Sequence, residues 1–127
     1  MRSFDITAIQ AAAKLSETET AMGSVIDVRN YDYLIIWLKY TKGTETGAYV
    51  IPKYLIATGG DEYQHMEWGN DDDALVSLKK FKLIVTGNNY IVLDVRGVPK
   101  VQLYEYKVSG TVTGTIKADY SLLRANI

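Results

Sequence analysis

Cysteine is absent from these 127 residues, histidine occurs once and proline twice. Without cysteine there are no disulfides and no thiolate metal ligands, so packing and hydrogen bonding must hold the fold. A lone His65 gives neither a multi-histidine metal site nor a cysteine–histidine pair anything to build on, and it reads as a surface strand residue. Charge of one sign is not in surplus either, with 14 Lys plus Arg against 15 Asp plus Glu. That balance lacks the basic face a nucleic-acid partner needs. Long apolar runs are missing too: "MRSFDITAIQAAAKLSETE" is interrupted by Asp5, Gln10 and Lys14, which fits neither a signal peptide nor a membrane span. No membrane partner is expected, and synthesis and first residence in the cytosol are.

What is present is tyrosine, ten residues against two phenylalanines. Tyrosine favours half-buried pleated surfaces whose outer ends meet water or a partner. The chain is long enough for one domain with its own core, taken as residues 1–127.

Read along the chain, "ITAIQAAAKL" has the alanine of a helix, but Phe4, Ile6, Thr7 and Ile9 favour an extended strand. "ETAMGSVIDV" reads as a second strand, closed by the turn residues Arg29 and Asn30. From Tyr33 to Tyr40 both alternating sets are apolar, Leu34, Ile36, Leu38, Tyr40 and Tyr33, Ile35, Trp37. That pattern predicts a central strand covered on both faces, by a second sheet or a neighbouring subunit. "TKGTETG" then suits an antiparallel connection to a strand over 48–57. A short strand around Glu62 to Trp68 follows, then a polar loop, a strand ending near Thr86, a turn at "TGNN", a strand from Tyr90 to Val95, a turn at "RGVP" and a strand from Lys100 to Val108. In the last strand Ile116, Ala118, Tyr120 and Leu122 alternate with Thr115, Lys117, Asp119 and Ser121. The sum is an all-β fold: an antiparallel β-sandwich of jelly-roll type with about eight strands. Leu34, Ile36 and Leu38 are expected to face the core with Phe81, Leu83 and Ile116.

Reactive groups are few. No serine stands in a GxSxG elbow and no glycine-rich loop runs from a strand into a helix, so neither acyl transfer nor nucleotide chemistry is indicated. Asp94 and Glu105 fall on successive predicted strands, but no spacing shows that they converge. The acidic loop Asp71 to Asp73 has carboxylates for calcium but lacks the glycine and closing glutamate of an EF-hand, and it reads as a solvated loop. Trp37 reads as core or interface, whereas Trp68 with Tyr63 is the candidate exposed aromatic pair, as on a sugar-binding surface. No catalytic residue, metal site or cofactor is assigned.

"VIDVRNYDYLIIWLKYTKGTETGAYVIPKYL" and, far downstream, "YEYKVSGTVTGTIKADYSLL" resemble the small β-sandwich virion structural proteins of tailed bacteriophages. The resemblance lies in the Ile-Asp-Val run before a Tyr-Asp-Tyr strand, the "YTKGTET" loop and the late "SG-x-x-TGTIKADY" segment; the middle of the chain does not share it. It implies a non-enzymatic component of the particle: a capsid decoration protein, the capsid-bound base of a head fibre, or a head or tail accessory protein. Partners would be the major capsid protein or other virion proteins, and copies of the chain itself in a homo-oligomer, with a trimer expected from the threefold positions such proteins occupy. Tyr33, Ile35 and Trp37, with Phe4 and Ile6 of a terminal arm or edge strand over 1–16, are the candidate interface residues. A carbohydrate-binding adhesion module is the competing expectation.

Overall fold

The computed structural model describes residues 5–67, 77–78 and 80–124. Among these described residues eleven strands follow one another: β1 (Thr7–Lys14), β2 (Thr20–Asp27), β3 (Tyr33–Thr41), β4 (Ala48–Leu55), β5 (Glu62–Gln64), β6 (Met66–Glu67), β7 (Ser77–Leu78), β8 (Phe81–Leu83), β9 (Gly87–Asp94), β10 (Lys100–Lys107) and β11 (Thr115–Leu123). One sheet has the order β1-β11-β3-β9 and the other β2-β10-β4-β5, with β8 also paired to β4. Strands β6 and β7 pair separately. All pairings are antiparallel. Successive long strands alternate between the sheets, so the fold is an all-β sandwich with jelly-roll-like connectivity.

The core lies between the sheets. Leu34, Ile36, Leu38 and Tyr40 of β3 join Ile91 and Leu93 of β9 and Ile116 and Ala118 of β11, and meet Met22, Ile26, Val50, Val101 and Leu103 of the opposite sheet. The expected core set is found there, with Phe81 and Leu83 partly buried against it. Pro52 sits inside β4 without breaking the sheet: β8 pairs Ala48 to Val50 and β5 pairs Lys53 to Leu55, so the proline falls in the gap between these two short partners.

Several expectations are corrected. The "TKGTETG" segment does not join paired strands, because β3 and β4 belong to opposite sheets. "TGNN" is not a turn: β9 already begins at Gly87. The second face of β3 is not covered by the other sheet, since a sheet in a two-layer sandwich has only one inner face. Trp37 there is 37% exposed and Lys39 is exposed. Ser121, expected on the polar outer face of β11, is 1% exposed because it lies beneath the Trp37 indole, which donates from Nε1 to its Oγ at 3.0 Å. Asp94 and Glu105 are on different sheets.

Two buried carboxylates fasten the crossovers. Glu105, 2% exposed, accepts from the backbone N–H of Ser16 at 2.8 Å and from its hydroxyl, tying the β1–β2 crossover to β10. Glu45, 0% exposed, accepts from the Tyr40 hydroxyl and from the N–H groups of Gly43, Thr113 and Gly114. It thus joins the β3–β4 crossover to the β10–β11 crossover. Burial pushes the Glu45 carboxyl up, but the Tyr40 hydroxyl and those three amides outweigh it and hold it at about 2.

Candidate functional site

The outer face of the first sheet carries the chemistry most suited to a partner. Strand alternation puts Tyr33, Ile35 and Trp37 on that face of β3, and the register sets Ile35 opposite Val92 and Trp37 opposite Tyr90 on β9. Trp37 and Tyr90 pack ring to ring, centroids 5.5 Å apart and tilted 42°. Tyr90 is 64% and Val92 51% exposed, so Val92, Trp37 and Tyr90 form an apolar, accessible stripe, with Ile35 of the same face buried at its end. The Ser121 bond fixes the indole from below. Beside the rings is a hollow of about 360 Å³ edged by Lys39, Asn88, Asn89 and the Lys117–Asp119 ion pair at 2.6 Å. An aromatic floor ringed by amides and charges is suited to a protein surface or a sugar ring, and it holds no nucleophile–base pair.

The outer face of the second sheet differs. Tyr49 and Tyr106 stack at 5.2 Å, Lys80 Nζ lies 4.1 Å over the Tyr49 ring and Lys53 Nζ 4.5 Å over Tyr104. Lysine stems and ammonium groups therefore cover those tyrosines.

Three of the sequence-derived interface residues, Tyr33, Ile35 and Trp37, share the first face. Ile6, 65% exposed, precedes β1 at the opposite edge of that sheet, and Phe4 lies outside the described residues. Tyr63 is 53% exposed on β5 of the other sheet, so it does not join Trp37; Trp68 and the Asp71 to Asp73 loop lie outside the described residues. His65 is exposed between β5 and β6. Among the described residues, no three histidines, aspartates or glutamates come together as metal ligands would.

The turns expected at Arg29–Asn30 and at "RGVP" are two copies of one device: "DVRN" at 27–30 and "DVRG" at 94–97 build the same turn twice. In each, the aspartate accepts from the arginine backbone N–H at 3.1 Å and from its guanidinium, the valine is buried, and the fourth residue has positive φ, 70° at Asn30 and 79° at Gly97. The guanidinium beside it holds Asp27 well below the usual carboxylate range and Asp94 at about 2. The two turns adjoin an open concavity of about 770 Å³ that Asp27, Tyr31 and Pro99 help to line. A tripeptide repeat followed by Asn or Gly was the signal that would have found the pair.

No family model matches the chain, and no curated protein matches it. Among solved structures, the crystal structure of the SPBc2 prophage-derived protein YomS superposes with a TM-score of 0.56 over 96% of this chain and 96% of that chain, at 18% identity. A structure from Bacillus endospore appendages, described as a novel family of disulfide-linked pili, covers 95% of this chain and 88% of that chain at 10% identity, with a TM-score of 0.46. The first likeness establishes a shared fold with a prophage-derived protein.

Proposed function

We propose that this chain is a non-enzymatic structural component of a bacteriophage particle, a capsid decoration or auxiliary protein or the capsid-bound base of a head fibre. It would be made in the host bacterial cytoplasm and reside in the virion. The observation that carries the reading is the exposed Val92–Trp37–Tyr90 stripe on a rigid sheet face, which fits a neighbouring protein surface without any reactive group. The fold shared with a prophage-derived protein supports it. Binding to shells lacking the protein tests it: the full chain should co-sediment with them, and Trp37→Ala and Val92→Ser should abolish co-sedimentation while melting as before. Retained binding by both variants refutes this contact face.

The hollow beside Trp37 and Tyr90 favours a second reading, a carbohydrate-binding adhesion module, because exposed rings flanked by amide and carboxylate groups are sugar-recognition chemistry. A glycan array and Trp37 fluorescence titration separate the two: saccharide-dependent quenching supports the module, and an array without hits removes it.

A further inference from the structure

An unpaired edge strand is a template for another chain, and folded proteins blunt such edges with bulges, short strands, prolines or charges. Three of the sheet edges here are blunted. Edge strand β1 shifts register twice, between Ala8 and Gln10 and between Gln10 and Ala13. Edge strand β2 bulges at Gly23, φ +61°, and the Gln102 amide fills the bulge by donating to the Met22 and Gly23 carbonyls at 3.1 and 3.3 Å. Among the described residues, the far side of β4 meets only β5 and β8, three residues each.

The fourth edge is different. β9, "GNNYIVLD", pairs β3 over eight consecutive partners with no register shift, and among the described residues no strand pairs its other side. It has no lysine, arginine or proline, and its only charge, Asp94, is at its end. We infer that β9 is a self-pairing edge, on which a second copy of this chain adds its own β9 antiparallel about a two-fold axis, joining the two first sheets into one.

The strand's own composition selects that occupant. A two-fold axis perpendicular to the sheet keeps each residue on its face, so one residue must lie opposite its own copy. With the axis at Ile91, the exposed Tyr90 meets the partner's Val92 and Asn88 meets the partner's Asp94. The two Asp94 carboxylates are then about 20 Å apart along the strands, beyond the screening length of about 8 Å, so like charges do not oppose pairing. Asn88 gives each carboxylate an amide donor, and the apolar stripe of one copy runs into that of the next. The pairing does not depend on what the outer face binds.

Sedimentation of the full chain over a concentration series tests it. The expected result is a monomer–dimer equilibrium that Val92→Lys weakens at least tenfold while Ala12→Lys, on the blunted β1 edge, leaves it unchanged, both variants retaining the β-sheet circular dichroism. On the unmodified protein, the β9 amides not bonded to β3 should gain hydrogen-exchange protection as concentration rises. A monomer at every concentration, a trimer, or a dimer whose β9 amides gain no protection overturns the inference.

Discussion

The Tyr40 hydroxyl donates to the Glu45 carboxylate at 2.5 Å, five residues away in sequence, inside a loop whose side chains otherwise meet water. The same carboxylate accepts from Thr113 at 3.0 Å and Gly114 at 2.9 Å, so one acidic side chain joins the "YTKGTET" and "SGTVTG" segments. Glu45→Ala would leave a phenol and three amides without their acceptor, and burying donors unpaired costs about 1–3 kcal/mol each before water intrudes. A loss of about 3 kcal/mol or more is expected in urea unfolding. Glu45→Gln, which keeps one accepting oxygen, should lose less.

The same group sets an acid limit. Its folded value of about 2 lies below the 4.5 of an unperturbed glutamate, so its contribution is complete above about 4.5 and is lost as pH falls toward 2. Asp94, also held at about 2, acts in the same direction but from an exposed site. Urea midpoints measured from pH 6 to pH 2 should therefore fall steeply below about 4.5 in the natural chain. In Glu45→Gln the fall should be shallower, and in Asp94→Asn nearly as steep as in the natural chain.

How far these features were legible depends on the distance over which their cause acts. Alternation is local, so the strands and the inward set Leu34, Ile36, Leu38 and Ile116 could be read directly. Sheet membership is not local: β3 and β4 look like a hairpin until Glu45, whose amide partners Thr113 and Gly114 are 68 and 69 residues away, is seen to pull their crossover against another. In sequence, Glu45 is indistinguishable from a solvated loop residue. The Trp37 strand showed two apolar faces, but sequence could not say which one the second sheet covers or that Ser121 would be buried beneath the indole.

Gly23 and Gly97 separate strain from crowding. Both have positive φ, +61° and +79°. A Cβ at Gly23 would stand 2.2 Å from the Ile9 carbonyl oxygen, whereas at Gly97 nothing lies within 4 Å. Gly97→Ala should cost only the left-handed penalty of about 1–2 kcal/mol. Gly23→Ala should cost clearly more, because β1 must move away from β2 as well; denaturant midpoints of the two variants give the order.

Ile36, 1% exposed at the middle of β3, is a direct test of the core. Ile36→Ala removes buried methyl groups from a site clamped on both sides by β9 and β11, where the backbone has little freedom to collapse. The expected loss is about 2–5 kcal/mol. A loss below about 1 kcal/mol in equilibrium unfolding would contradict the packing described.

The N-terminal segment decides whether attachment and folding are separate. Residues 7–14 form the edge strand β1, with Thr7 opposite Tyr120, Ala8 opposite Asp119 and Gln10 opposite Ala118, and Ile9 packs against the core while its carbonyl meets the Gly23 bulge. Deleting residues 2–12 removes those partners, bares the edge of β11 and opens the side of the sandwich where β1 touches β2. An arm that merely reached a neighbour would leave none of these contacts behind. The deletion variant should therefore melt lower by roughly 5 °C or more, since each 1 kcal/mol moves the midpoint by about 2–8 °C in domains of this size. It should also associate irregularly through the bared β11, seen as polydispersity in sedimentation. A variant that melts as the natural chain does but no longer sediments with shells would instead make the segment an attachment arm.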